Sequence, residues 1–191
     1  MSLEDADAKR LGGLRAVAHP VRLRMLSLLT GAELSAAELA RELGISQANA
    51  SYHVRMLADT GEVIVVGTES VRGGVAKKYR YNYRDEVRSH RRPSAGDDDD
   101  QLLYAEAAYQ ELRRRLFQRK PRTRAMSSDA EVWLEPETWQ RAMALVDEAS
   151  RLVHEQARPP RTEGTVHVNF QTTLFQLSDD TEDTETPGGR Q

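Results

Sequence analysis

Residues 35–61 read SAAELARELGISQANASYHVRMLADTG, and the placing of their serines and glycines divides them into two short helices. Ser35 followed three residues later by Glu38 is a capping-box pattern, in which each side chain satisfies a backbone N–H that a first helical turn leaves unpaired. The helix it opens carries Ala36, Ala37, Leu39, Ala40 and Leu43 and stops at Gly44. Ser46 then caps a second helix, from Gln47 to about Asp59, ended by Gly61. Two short helices joined by Leu43-Gly44-Ile45-Ser46 have the spacing of a helix-turn-helix.

The second helix has two chemically distinct faces. Ala50, Val54 and Leu57, spaced by four and three, form the side to be buried. Gln47, Ser51 and Arg55 share the opposite side, flanked by Ala48 and Tyr52. In a DNA major groove glutamine pairs bidentately with adenine, arginine with guanine, and an alanine methyl meets a thymine methyl. Ser46 and Ser51 are better suited to holding phosphates.

Working upstream, Leu14, Val17, Val21, Leu23, Met25, Leu26, Leu28 and Leu29 recur at helical spacing, interrupted by His19-Pro20. Proline has no N–H to leave unpaired in a first turn, so the spacing predicts one helix ending near Ala18 and another from Pro20 to Thr30, closed by Gly31. Downstream of Gly61 the period becomes alternating. Val63 and Val65 lead through Gly67 and Gly73-Gly74 to Tyr79, Tyr81 and Tyr83, set against Lys78, Arg80 and Asn82. This predicts a β-hairpin with a basic outer face, and helices followed by such a hairpin make a winged helix-turn-helix. In the wing, Arg72, Lys77, Lys78 and Arg80 are the residues expected to neutralise phosphates, a contact that carries affinity rather than base choice. Arg22, Arg24 and Arg41 could add to it from the helices.

The run AVAHPVRLRMLSLL, then LSAAELARELGISQANASYHVRMLADTGEV, then a wing ending KKYRYNY, resembles the ArsR-type winged-helix transcriptional regulators, in the branch with an extra C-terminal region. The resemblance covers roughly residues 11–83. It implies a dimeric DNA-binding regulator, more often a repressor. Glu62 stands where the family pattern usually has an apolar residue, Tyr52 replaces a frequent polar or histidine position, and the metal-sensing cysteines are missing.

Charge agrees with a polyanion partner for this half. Residues 9–92 hold 15 Lys and Arg against 8 Asp and Glu, whereas residues 93–191 hold 12 against 19, so a net charge of −3 conceals a basic half and an acidic one. Between them Pro93-Ser94-Ala95-Gly96 and the aspartates Asp97 to Asp100 read as an exposed acidic linker, residues 93–100. Residues 1–8 and 178–191 read as flexible tails. The expected organisation is therefore a winged helix-turn-helix over 9–92 and a second region over 101–177.

That second region holds two heptad-like seams. Leu102, Ala105, Tyr109, Leu112 and Leu116 follow a three-four spacing, as do Trp139, Ala142, Val146, Ala149 and Val153 between Pro136 and Pro159-Pro160. A regulator reading a two-fold operator needs two recognition helices about one DNA turn apart, so homodimerisation through Leu102, Tyr109, Leu112, Leu116, Trp139, Val146 and Val153 is the economical expectation. Packing within one chain is the alternative. Residues 131–134 and 165–177 read as short strands. Trp133, Trp139, Phe170 and Phe175 would either line an effector pocket or fill a small core. The fold class expected is mainly α with a β-hairpin wing, plus a C-terminal helical dimerisation region with short strands.

Other chemistries find little support. With zero cysteines there is no disulfide or thiolate metal site, and no two of the five histidines lie three or four apart, so neither a metal site nor a cofactor is expected. His19 sits at a helix junction, and His53 is expected to make a structural hydrogen bond. No phosphate-cradling glycine loop, nucleophile elbow or His-Glu-x-x-His motif is present, so an enzyme is not expected. No apolar run is long enough to span a membrane and the N-terminus lacks a signal-peptide layout, so the expected location is cytoplasmic. The partners implied are double-stranded DNA, a second copy of the chain, and an effector of unknown identity. A winged helix used for protein or RNA contact stays open as the alternative.

Overall fold

The computed structural model describes residues 14–71, 74–83 and 98–178. A helical turn at residues 14–17 leads to α1, Pro20–Gly31. His19 is its N-cap and accepts the Val21 N–H at Nδ1, 3.1 Å away, so proline at the first position costs the helix nothing. Strand β1, Leu34–Ser35, passes directly into α2, Ala36–Leu43, and α3 follows at Gln47–Asp59. Both serine caps form: the Ser35 side chain accepts the Glu38 N–H while Glu38 returns to the Ser35 N–H, and Ser46 accepts from Asn49. Gly44 ends α2 at φ 67°, a left-handed conformation open to glycine and costly for side chains with a Cβ.

Strands β2, Val63–Val71, and β3, Gly74–Tyr81, form the hairpin, and β3 also pairs with β1, giving an antiparallel sheet in the order β1-β3-β2. Gly67 lies inside β2, immediately beyond a bulge between Val65 and Gly67, rather than in the turn that the sequence suggested. The hairpin tip, with Arg72 and Gly73, lies outside the described residues.

One core holds these elements together. Val17, Met25, Leu29, Leu39, Ala50, Val54, Leu57, Val63 and Tyr79 are buried against one another, joining all three helices to the sheet. Of the apolar residues read from the spacings of these three helices and the turn before them, all but Ala37 lie in this core or pack against it, and Tyr79 is the buried aromatic that the wing contributes.

The second region leans on this unit. Helix α4, Asp98–Leu116, packs along α1 through Tyr104 and buried Ala107. Buried Glu111 is neutralised by Arg114 at 2.8 Å and Arg115 at 3.7 Å. The helix begins within the acidic run, so Asp98 to Asp100 form its first turn instead of ending the linker; aspartates there face the positive end of the helix dipole. Helix α5, Pro136–Glu155, lies against the end of β3 and α1. Beyond it the chain crosses back over the unit. Arg161 pairs with Glu42 of α2, and a Cβ on Gly31 would stand 2.3 Å from the Arg158 carbonyl oxygen. Gly31 is thus the last helical residue, needed for this close approach, and extended Ala32 is the cap.

The short strands expected over 131–134 and 165–177 are not formed: both stretches are irregular and mostly exposed. Among the described residues neither finds a neighbouring ladder for its backbone groups, without which alternation alone makes no strand. Trp133 and Phe175 are 83% and 64% exposed, so they neither fill a core nor enclose a pocket.

Candidate nucleic-acid interface

The geometry of α3 follows from its two faces. Ala50, His53, Val54 and Leu57 are buried, which turns Gln47, Ala48, Tyr52 and Arg55 into solvent with Ser51 half-exposed between them. Arg55 rests along its own helix, its Nε donating to the Ser51 carbonyl at 3.1 Å, and its terminal nitrogens project from an exposed side chain. Ser46 is exposed; while its oxygen caps Asn49, its hydroxyl hydrogen remains able to donate to a phosphate.

Aromatic contact joins α3 to the start of α1 through His19 and His53. The His19 and His53 rings lie 4.7 Å apart, and Tyr52 meets His53 edge-on at 5.3 Å. Burial, then the neighbouring charge of Arg22, pushes the His19 pKa down, which agrees with Nδ1 acting as a hydrogen-bond acceptor. Burial, then His19 and Arg22, do the same to His53. The hydrogen bond expected of His53 is not made at Nδ1, which is buried without a partner; packing holds the ring instead. Arg22 is itself 8% exposed, donating to the Arg15 carbonyl at 3.1 Å and touching the Met56 sulfur at 3.6 Å, so it braces α3 from behind instead of reaching into solvent. Periodicity assigned Arg22 to an exposed face because a long basic side chain is usually solvated; no local signal announces that α1 and α3 close over it.

The wing divides its basic residues between two uses. Lys77 and Arg80 are exposed. Lys78 instead lies 2.7 Å from Glu38 and 3.1 Å from Glu69, clamping the hairpin to the first turn of α2. Partial burial alone would raise the Glu38 pKa, but the hydrogen bonds from Lys78 and from the Ser35 N–H and hydroxyl outweigh it and bring the carboxyl to about 2. The same bonds, Glu38 before Glu69, raise the pKa of Lys78. Sequence reading found the Ser35–Glu38 box and missed its third member, which only the register Ser35↔Lys78 brings alongside.

A family model described as a helix-turn-helix domain matches residues 17–66. No curated protein gives a match. The matched stretch runs from the turn before α1, through the helix-turn-helix of α2 and α3, into the first strand of the wing. A helix-turn-helix domain followed by a hairpin suggests a DNA-binding regulator.

The residues expected at a dimer interface fall into two groups. Leu102, Tyr109 and Leu116 are 69%, 60% and 56% exposed on one side of α4, while Leu112 and the α5 residues Trp139, Val146 and Val153 are half-buried. On α5 the more exposed apolar pair is Leu145 and Leu152, one heptad apart. Among the described residues no group of three His, Cys, Asp or Glu is placed to hold a metal ion, and no helix is long and apolar enough to cross a membrane.

Proposed function

We propose that the protein is a sequence-specific, homodimeric transcriptional regulator, acting as a repressor of the ArsR type, that reads an inverted-repeat operator. Gln47, Ala48, Tyr52 and Arg55 enter the major groove, Ser46 and Ser51 hold phosphates, and Arg72, Lys77 and Arg80 follow the backbone, with Lys78 orienting the wing that carries them. The observation that carries this reading is the exposed Gln47–Ser51–Arg55 face of a helix whose opposite side is the core of the unit. Dimerisation uses the exposed Leu102, Tyr109 and Leu116 side of α4, which supplies the second copy that a two-fold operator requires.

Selection of bound fragments from a random DNA library with full-length protein tests it. The expected product is an inverted repeat with half-site centres about 10 to 11 base pairs apart, or a multiple of that. Fragments without any consensus would refute sequence-specific reading and favour protein or RNA contact.

A further inference from the structure

The stretch between α4 and α5 is the least explained part of the molecule. Every residue from 116 to 138 is exposed, including Phe117 at 84%, Met126 at 93% and Trp133 at 83%. Val132 and Leu134 are exposed beside them, so this stretch leaves several large apolar side chains in water. Its charges are sorted. Arg119, Lys120, Arg122 and Arg124 occupy the first half, and Asp129, Glu131 and Glu135 the second. Among the described residues none of these seven side chains has an ion-pair partner.

A segment that is basic at one end and acidic at the other complements a second copy of itself laid antiparallel. A two-fold axis near the Ser127–Ser128 peptide brings the basic run of each copy over the acidic run of the other. We propose that residues 117–135 form a self-complementary arm by which two copies of the chain join, each arm lying antiparallel to the other. The inference rests on the dimeric reading above and adds to it the segment that decides which partner is accepted. Like charges cannot be brought together in the parallel register, so the arm also fixes the orientation of the pair.

Charge reversal in the full chain tests this, and because the side chains are exposed the variants keep the fold. One variant carries Lys120→Glu and Arg124→Glu, the other Glu131→Lys and Glu135→Lys. Sedimentation velocity on each alone is expected to show a dimer dissociation constant raised about 100-fold, since two-fold symmetry removes the attraction between the runs in both halves of the contact. A mixture of the two variants, in which one half of the contact is attractive again, is expected to form a heterodimer tighter than either variant's homodimer. Variants that dimerise as tightly as wild type would overturn the arm and leave dimerisation to the α4 seam. Unchanged dimers that lose DNA affinity with a smaller salt slope would also overturn it, making the basic run a DNA contact. Wild-type protein that stays monomeric would remove the dimeric reading itself, and the arm with it.

Discussion

Glu38→Gln separates the wing clamp from the helix cap. The amide keeps an acceptor for the Ser35 N–H but loses the charge that holds Lys78 at 2.7 Å. Lowering the Glu38 pKa from 4.5 to about 2 would be worth, at ~1.4 kcal/mol per unit, at most ~3.4 kcal/mol. The Glu38 and Lys78 side chains are 28% and 21% exposed, so water screens the pair and the expected loss near neutral pH is ~1–1.5 kcal/mol. A carboxylate whose folded pKa is depressed contributes stability that is present above its unfolded pKa and vanishes as pH falls through the folded value. Urea titrations followed by circular dichroism should therefore show wild type and Glu38→Gln separated near neutrality and converging as the pH drops from about 4.5 toward about 2. Lys78→Met and the double variant complete a cycle in which the coupling between the two sites accounts for most of the loss. Equal stabilities near neutrality, or a gap that survives undiminished at the acid end, would refute the clamp.

Three further outcomes follow from the same geometry. Arg55→Ala should weaken operator binding by ~1–3 kcal/mol and relax base preference at one position of each half-site, read by fluorescence anisotropy on a panel of single-base variants; uniform weakening would instead make Arg55 a phosphate contact. Lys77→Ala with Arg80→Ala should weaken every DNA alike and reduce the salt slope by ~1 to 2 in log–log terms, and affinity unchanged across salt would remove the wing from the interface. Gly31→Ala should cost ~1–2 kcal/mol despite the better helix propensity of alanine, because the new methyl meets the Arg158 carbonyl. Tryptic cleavage after Arg161 should then quicken, whereas a more stable variant with unaltered cleavage would mean that the segment does not dock there.

What the sequence made legible was whatever depends on neighbours along the chain. Ser35 and Ser46 announce their helices because a cap bonds a residue three positions away, and the bounds of α3 follow from Ser46 and from the Ala50, Val54 and Leu57 spacing. Whatever depends on register or distant packing was not legible. Lys78 alternates with the tyrosines as an outward residue should, yet its partner on α2 is 40 residues away in the chain. Arg22 has the spacing of a surface residue and lies beneath Met56, 34 positions on. Alternation in 165–177 misled for the complementary reason: a strand is a property of two segments, and among the described residues no second one lies beside it. Glu62, at a position the family pattern keeps apolar, is buried at 4% exposure, but its carbonyl still receives the Asn82 N–H, so the link from α3 into the sheet survives the change of side chain.

The contacts between the two regions decide whether dimerisation can govern DNA reading. A two-fold partner sets the separation of the recognition helices only if each is rigidly joined to the surface that dimerises. Three attachments supply that joint from different directions. Arg115 of α4 donates to Ser27 of α1 and to Asn169, tying two crossing segments at one point. The Tyr83 ring, just past the wing, stacks on His154 of α5 at 3.7 Å with the planes 6° apart, and its hydroxyl meets Ser150 at 2.9 Å. His154 is itself fixed, its Nδ1 lying 2.7 Å from the Ser150 carbonyl. The strap beyond α5 then presses on Gly31 and reaches Glu42. Together they touch α1, α2 and the end of β3, so α4 and α5 cannot pivot without unstacking Tyr83 or lifting the strap. A substitution that loosens one attachment, such as Tyr83→Ala, leaves the recognition face intact while widening the range of half-site spacings a dimer accepts. Comparing affinity for an operator with that for one lengthened by a base pair reads this directly: a rigid joint punishes the longer site in wild type, and the loosened variant loses part of that discrimination.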